Sequence, residues 1–483
     1  MMETPRPSEA RPARGLVERL LSPIADVRSD EVVSALLMTL TMFLILAGYY
    51  LLKTAREQLI LSEGGAAVKS YSSAGQALLL LIIVPAYGAF ASRVNRVQLI
   101  QWVTVFFAAN LVLFVLASSA GFRIGVVFFI WVGIFNVMVI AQFWAFANDL
   151  YTEEQGKRLF PLIGVGASLG AWMGSLRAGT LVESFGPGRL LLGGVGFLVI
   201  SIALVRFVDR VSARSKPVQA SRSTEKLREG PSGFSMILSD RYLLLIAVLT
   251  LLLNVVNTSG EYLFGRYVVA AAERVSSDPA ARQAFIGATY SSFFSYVNLI
   301  GFLMQMFVVS RVFKFLGVGR ALVIHPIVAL SGYLMMIFVP SFEAIRWLKI
   351  ADNGLDYSLG NTTKQALWLP TSREAKYKAK QAVDSFCVRA GDVLQAGIVY
   401  AGEVVALSAT GFAALTAVFA CCWLAVTLGL KKKLADRAQR PTRPGCNAFR
   451  EARSYGISER LRLQPHRRPL PEPRRRKRGR SGP

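Results

Sequence analysis

The sequence predicts an all-α polytopic membrane protein with twelve transmembrane helices in two six-helix halves. Three observations carry that expectation. Of 483 residues, 53% are apolar and only 18% charged, where a soluble chain usually carries about 25% charge. Apolar runs of roughly 20 residues, long enough to cross a ~30 Å hydrocarbon core, recur from Val32 to Leu430. A polar, basic stretch in the middle of the chain divides those runs six and six. This profile excludes a soluble enzyme, a disulfide-rich secreted domain and a disordered chain.

Residues 1–31 mix five arginines with six acids, so they read as a cytoplasmic N-terminal segment and not as a signal or transit peptide. The first half, 32–208, holds spans at 32–52, 71–91, 97–117, 125–148, 160–182 and 190–208. A basic linker, 209–241, opens DRVSARSKPVQASRSTEKLREG. The second half, 242–430, holds spans at 242–265, 284–309, 321–339, 344–369, 382–400 and 407–430. Charges interrupt the 344–369 and 382–400 spans. Ser92-Arg93-Val94-Asn95-Arg96 after the second span is echoed by Ser310-Arg311-Val312-Phe313-Lys314 after the eighth. Count, linker and echo together describe the major-facilitator architecture. Residues 431–483 form a disordered basic tail with eighteen Lys/Arg against four Asp/Glu.

The net charge of +25 is unevenly placed. With both termini inside, the cytoplasmic segments hold 42 of the 55 Lys/Arg and the outer loops 10. Cytoplasmic loops carry such an excess, so both ends are expected to face the cytoplasm of a cell (inner or plasma) membrane. The basic linker and tail suit anionic lipid headgroups, and no nucleic-acid partner is expected. The four cysteines have no metal-ligand spacing with either histidine, so no metal or cofactor is expected.

Ionisable groups inside spans are costly, about 2.5–3.5 kcal/mol each at the helix centre, and persist where they face a cavity or a partner. Asn254, Asn257 and Glu261 sit at i, i+3, i+7, on one face of the seventh span. Asp352, Asp356, Gly360 and Lys364 follow at i+4 steps along the tenth. Arg389 and Asp392, three apart, suit an intrahelical pair. Lys53, Arg56, Glu57 and Lys69 lie near the outer ends of the first two spans, where snorkelling to headgroups accounts for some of them. Gly166, Gly170 and Gly174 let two helix backbones approach closely. No Gly-Lys-Ser/Thr follows them, and no nucleotide-hydrolysis, triad or paired-histidine motif occurs elsewhere, so nothing points to an enzyme.

The stretch FWAFANDLYTEEQGKRLFPLIGVGASLG carries Phe143, Trp144, Phe146, Ala147, Asn148, Lys157, Arg158, Phe160, Pro161, Leu162, Gly164, Gly166 and Ala167. A second block, YSLGNTTKQALWLP followed by REAKYKAKQAVD, carries Tyr357, Ser358, Leu359, Lys364, Pro370, Lys376, Lys380 and Asp384. In these two blocks the chain resembles the nucleotide transporter family, which includes the ATP/ADP exchangers of plastids and of obligate intracellular bacteria. The resemblance spans about residues 32–430. It implies a major-facilitator-like fold and exchange or proton-coupled uptake of nucleotides. It also implies roles for a lysine opening the second span, matched by Lys69, and a glutamate in the seventh, matched by Glu261. Two family positions depart: an acid in the fourth span falls near Val132, and a lysine in the eleventh falls on Asp392. An acid on a phosphate path opposes a triphosphate substrate.

Three readings follow. In the first, a nucleotide transporter, Lys69, Lys364 and Arg389 meet phosphate oxygens. Trp144 and Tyr357 stack on a base, and Glu261 carries a proton or closes an ion pair. Asp352, Asp356, Asp392, Asn257 and Arg56 form the surrounding charge network. In the second, the same acids serve a proton-coupled carrier of another organic solute. In the third, a non-transporting membrane module recruits partners through its basic linker and tail.

Overall fold

A computed structural model describes residues 27–439 except 30, 92–95, 214–231 and 373. Among these the secondary structure is helical, and eight helices are long and apolar enough to cross a membrane. The architecture is that of a multi-pass membrane protein. The tail beyond 439, most of the N-terminal segment, the middle of the linker and the first copy of the Ser-Arg-Val echo lie outside the described residues.

The longest helices show how the chain turns. Helix α1, Val32–Ala91, has 60 residues; at 1.5 Å per residue it would run to about 90 Å if straight, some three bilayer cores. It breaks instead at Gly65, where φ is 74°. That left-handed conformation strains any residue with a Cβ. Gly317, φ 73°, breaks α8 in the same way. The expected outer loop at 53–70 is therefore helical up to the Gly65 turn and beyond it. This corrects the snorkelling assignment: Glu57 is 1% exposed and Lys69 8%, so both are held inside the protein.

The first half continues with α2 (Arg96–Ser119), α3 (Gly125–Leu150) and α4 (Glu153–Ala213). Helix α4 contains two apolar stretches, Arg158–Leu181 and Leu190–Arg210, each long enough to cross. Phe107, Phe114, Phe128, Trp131 and Phe135 interlock α2 with α3, ring centroids 5.2–5.8 Å apart. Val132 is fully buried beside this layer.

Helix α1 and the first stretch of α4 run parallel at a constant offset. Arg158 meets Glu31, and Gly166, Gly170 and Gly174 lie on the backbones of Thr39, Phe43 and Ala47. A Cβ at any of the three would run into a carbonyl oxygen of α1. The glycine stripe is a helix–helix contact, as its spacing indicates.

The second half opens with short α5 (Gly233–Ser239), then α6 (Arg241–Val275) and α7 (Pro279–Leu303). A π turn at Met304–Val308 leads into α8 (Val309–Phe338). Next come α9 (Phe342–Leu355), a π turn at Asp356–Gly360 and α10 (Asn361–Ala366). Two further π turns, Ala375–Ala379 and Val383–Cys387, precede α11 (Val388–Val404). Helix α12, Ala409–Gln439, extends past the expected end at Leu430. Arg437 holds that extension, forming an ion pair with Asp240 and lying 4.3 Å above the Tyr242 ring. Against the first half, α1 packs on α6, α7 and α11, and α4 packs on α7.

Candidate functional site

The helix α1 segment around Lys53, Arg56 and Glu57 lies roughly three helical turns before the Gly65 break; Lys69 and Ser70 follow the break. Together with α3, α6, α7, α9 and α11 these residues line a partly open cavity of about 190 Å³. Its wall includes Arg56, Lys69, Asn257, Glu261 and Tyr357. At about 30 Å³ per water molecule the space holds a few waters or a compact anionic group. It lies below the ~300–1,000 Å³ usual for a whole bound ligand of drug size.

The charges in the wall form one chain across the two halves. Arg56 pairs with Glu57 at 2.5 Å, and the other Glu57 oxygen meets Lys69 Nζ at 2.7 Å. Lys69 then reaches Glu261 of α6 at 3.5 Å. Glu261 also accepts a hydrogen bond from Asn353 Nδ2, 2.8 Å, and lies 3.9 Å from Lys349 Nζ. The Arg56 guanidinium lies 4.4 Å over the Phe129 ring, which fixes it against α3. Every carboxylate here has at least one cation, which is what lets ionised groups persist away from water.

Behind the wall a second cluster continues the chain. Lys349, 1% exposed, donates to Asn257 Oδ1 at 2.6 Å and to Asp352 at 3.0 Å. The other Asp352 oxygen lies 3.2 Å from His325 Nε2, and His325 Nδ1 lies 3.9 Å from Asp356. Lys364 closes the row at 3.4 Å from Asp356. The expected i+4 stripe is thus bent by the π turn at Asp356–Gly360, which turns Tyr357 into the cavity while Asp352 and Asp356 face His325. Such turns widen a helix locally and are frequent at functional sites.

The structure brings Lys69, Glu261, Asn257, Arg56 and Tyr357 into the cavity wall. It keeps the six others, Trp144, Lys364, Asp352, Asp356, Arg389 and Asp392, out of that wall. Trp144 packs edge-on against Phe143 and Phe160, ring centroids 5.7 and 5.4 Å away, so its aromatic area serves the core. Lys364 is held by Asp356, and Asp352 by Lys349 and His325. Arg389 pairs with Asp392 at 3.3 Å, as their spacing suggests, and Asp392 also accepts from Asn254 at 2.9 Å.

Lys349 and His325 are the residues that sequence reasoning missed. Lys349 lies in the expected span 344–369 and His325 in the expected span 321–339. The signals were a lysine three residues before Asp352 and a histidine inside an apolar span.

No known-family profile matches the chain. It is similar to ADP,ATP carrier protein 4 of Rickettsia bellii, 25% identical over 304 residues, covering 53% of this chain and 55% of that carrier. ADP,ATP carrier protein 1 of Chlamydia muridarum is 25% identical over 341 residues, 62% of each chain. A longer, weaker match, 21% over 462 aligned residues, covers 80% of this chain and 89% of ADP,ATP carrier protein 5 of Rickettsia bellii. The chain spans little more than half the length of the carriers it matches at higher identity.

Solved transporters share the fold. The nucleoside transporter NupG superposes with a TM-score of 0.58 at 11% identity, covering 84% of this chain and all of NupG. A bacterial homolog of the human lysosomal transporter Spinster, in an inward-facing state, gives 0.58 at 15% identity, covering 86% of this chain and all of that one. The fold is major-facilitator-like.

Proposed function

We propose that the chain is a membrane carrier of nucleotides working by alternating access, with halves at 32–208 and 242–430. The observation that carries this reading is the Lys69–Glu261 ion pair, which crosses from one half to the other in the wall of the central cavity. The similarity to ADP,ATP carriers supplies the substrate class. In this reading the substrate's anionic group draws Lys69 from Glu261. Glu261 stays satisfied by Asn353 and Lys349, so one ion pair is exchanged for another without stranding a charge. Rocking of the halves about the cavity then moves the substrate across. Gradients drive the cycle, and no bond of the substrate is broken. The carrier sits in a cell membrane with both termini cytoplasmic, its basic linker and tail facing anionic lipid.

One observation favours a second reading, a proton-coupled carrier of another organic solute: the row Glu261, Lys349, Asp352, His325 links the cavity to a buried imidazole. The deciding experiment places the purified full chain in liposomes preloaded with ADP and follows entry of labelled AMP, ADP and ATP. Saturable counterflow of at least one nucleotide is expected. Absence of counterflow for all three, with pH-driven uptake of a non-nucleotide solute, overturns the nucleotide reading in favour of the second.

A further inference from the structure

Three cations line the cavity, and two of them are already taken. Arg56 is bound by Glu57, and Lys69 is shared between Glu57 and Glu261. Lys53 is different: among the described residues it pairs with no carboxylate. Its ammonium lies 4.2 Å from the centroid of the Phe294 ring and 5.1 Å from that of Tyr50. Aromatic faces attract a cation by about 0.5–2 kcal/mol but leave its charge in place. The wall therefore carries three positive groups against two negative ones, an excess of one. A partly desolvated ammonium without a counter-ion is an incomplete ion pair, and an anion entering the cavity completes it.

The remaining wall narrows the anion. Phe129, Tyr262, Phe294 and Tyr357 line the same space, and an aromatic lining suits a flat ring joined to the anionic group. A phosphate monoester carries about −1.5 to −2 charges at pH 7, which already meets the wall's excess of one positive group. Each further phosphate adds charge for which the described wall has no other lysine or arginine. The cavity volume of about 190 Å³ suits the anionic group itself.

We propose that Lys53 is the anion seat of the central site, and that the site takes an organic monophosphate bearing a flat ring, a nucleoside monophosphate, in preference to a triphosphate. The choice of nucleoside rests on the nucleotide-carrier reading above; the single-phosphate seat rests on the cavity alone. The test measures binding to the detergent-purified full chain by calorimetry, with inorganic phosphate, glycerol 3-phosphate, adenosine, AMP, ADP and ATP as probes. AMP is expected to bind at least tenfold tighter than adenosine and no more weakly than ATP. Lys53→Met should weaken AMP at least tenfold at an unchanged melting temperature, while Lys53→Arg stays within threefold of the native chain.

ATP binding tenfold tighter than AMP would overturn the inference and leave the carrier reading standing. Glycerol 3-phosphate binding as tightly as AMP, through Lys53, keeps the seat and removes the nucleoside. Unchanged AMP affinity in Lys53→Met, or no binding by any phosphate, overturns the seat itself. If Lys53→Met fails to fold, Lys53→Gln serves in its place, with the Arg variant as the folding control.

Discussion

Lys69 has two carboxylates and Glu261 has three donors within reach, so neither is a simple two-body pair. Glu57 holds Lys69 more closely than Glu261 does, 2.7 against 3.5 Å, which makes the contact between halves the weaker of the two. Lys69→Gln should then leave Glu57 with Arg56 and keep membrane abundance within about twofold. It should raise the apparent KM for an anionic substrate about tenfold, a loss of ~1.4 kcal/mol. Glu261→Gln keeps the Asn353 contact and removes the charge; turnover should fall and any pH dependence flatten. Uptake rate normalised to protein level decides, and normal uptake in both variants would remove these residues from the transport path. Glu31, at the other end of α1, is a structural contrast. Burial raises its carboxyl pKa, but the Arg158 fork at 2.7 and 3.0 Å, the Arg28 N–H and Gln155 outweigh burial and hold it below the usual range. A pKa lower in the folded chain gives stability that is present above the unfolded value, ~4.3, and lost as pH falls through the folded one. Glu31→Gln should lower stability at pH 7 by about 1.5–3 kcal/mol, and melting temperature should converge with the native chain as pH drops below 4.

At the scale of elements, the sequence showed most where one physical requirement dominates. In the described residues, apolar runs located the eight helices that are long and apolar enough to cross, and the charge-interrupted stretches 344–369 and 382–400 are not among them. The spacing of Gly166, Gly170 and Gly174 located the α1–α4 contact, because close backbone approach admits little else. Gly170→Leu should drive a side chain into the Phe43 carbonyl of α1. The backbone cannot yield as a side chain does, so the loss should exceed the ~1–3 kcal/mol typical of overpacking. Gly164→Ala, with open space around it, should be neutral. Thermal melts of both variants check this, and equal melts would show that the stripe tolerates bulk. The cavity was less legible. Residues 53–70 carry five charges and read as a loop, yet they are helical on either side of Gly65, with Glu57 neutralised by Arg56 and Lys69 of the same helix and Glu63 accepting from the Gly125 N–H. The i+4 stripe from Asp352 to Lys364 assumed an unbroken α-helix, whereas a π turn changes which way Asp356 and Tyr357 point. Pairings between distant helices, such as Lys349 with Asn257, leave no local spacing to read.

For the whole molecule, the two halves meet along α1 and α4 on one side and α6, α7 and α11 on the other. Several contacts bridge them besides Lys69–Glu261. Ser291 Oγ donates to the Ser175 carbonyl at 2.5 Å and accepts from Gly179 N–H at 2.7 Å. Gln283 Nε2 donates to Ser62 Oγ at 3.4 Å, beside the Gly65 turn. Ser62 is exposed, and the Lys/Arg bias predicts an outer position for it. Ser62→Cys, in a chain cleared of its native cysteines, should therefore react with a membrane-impermeant maleimide in intact cells, while Ser223→Cys in the linker should not. The reverse pattern would invert the orientation.

The same pair tests the movement itself. Alternating access by rigid rocking requires the Ser62 and Gln283 segments to separate once per cycle. A disulfide between Ser62→Cys and Gln283→Cys holds Cβ atoms about 4 Å apart, so it should stop counterflow while leaving substrate binding within about threefold. Reduction with dithiothreitol should restore the rate. The two single variants, oxidised in parallel, should keep full activity and so exclude local damage. Full counterflow in a completely cross-linked sample would mean that the halves do not part at the Gly65 turn, and the rocking mechanism would have to give way to a local gate formed by Lys69 and Glu261 alone.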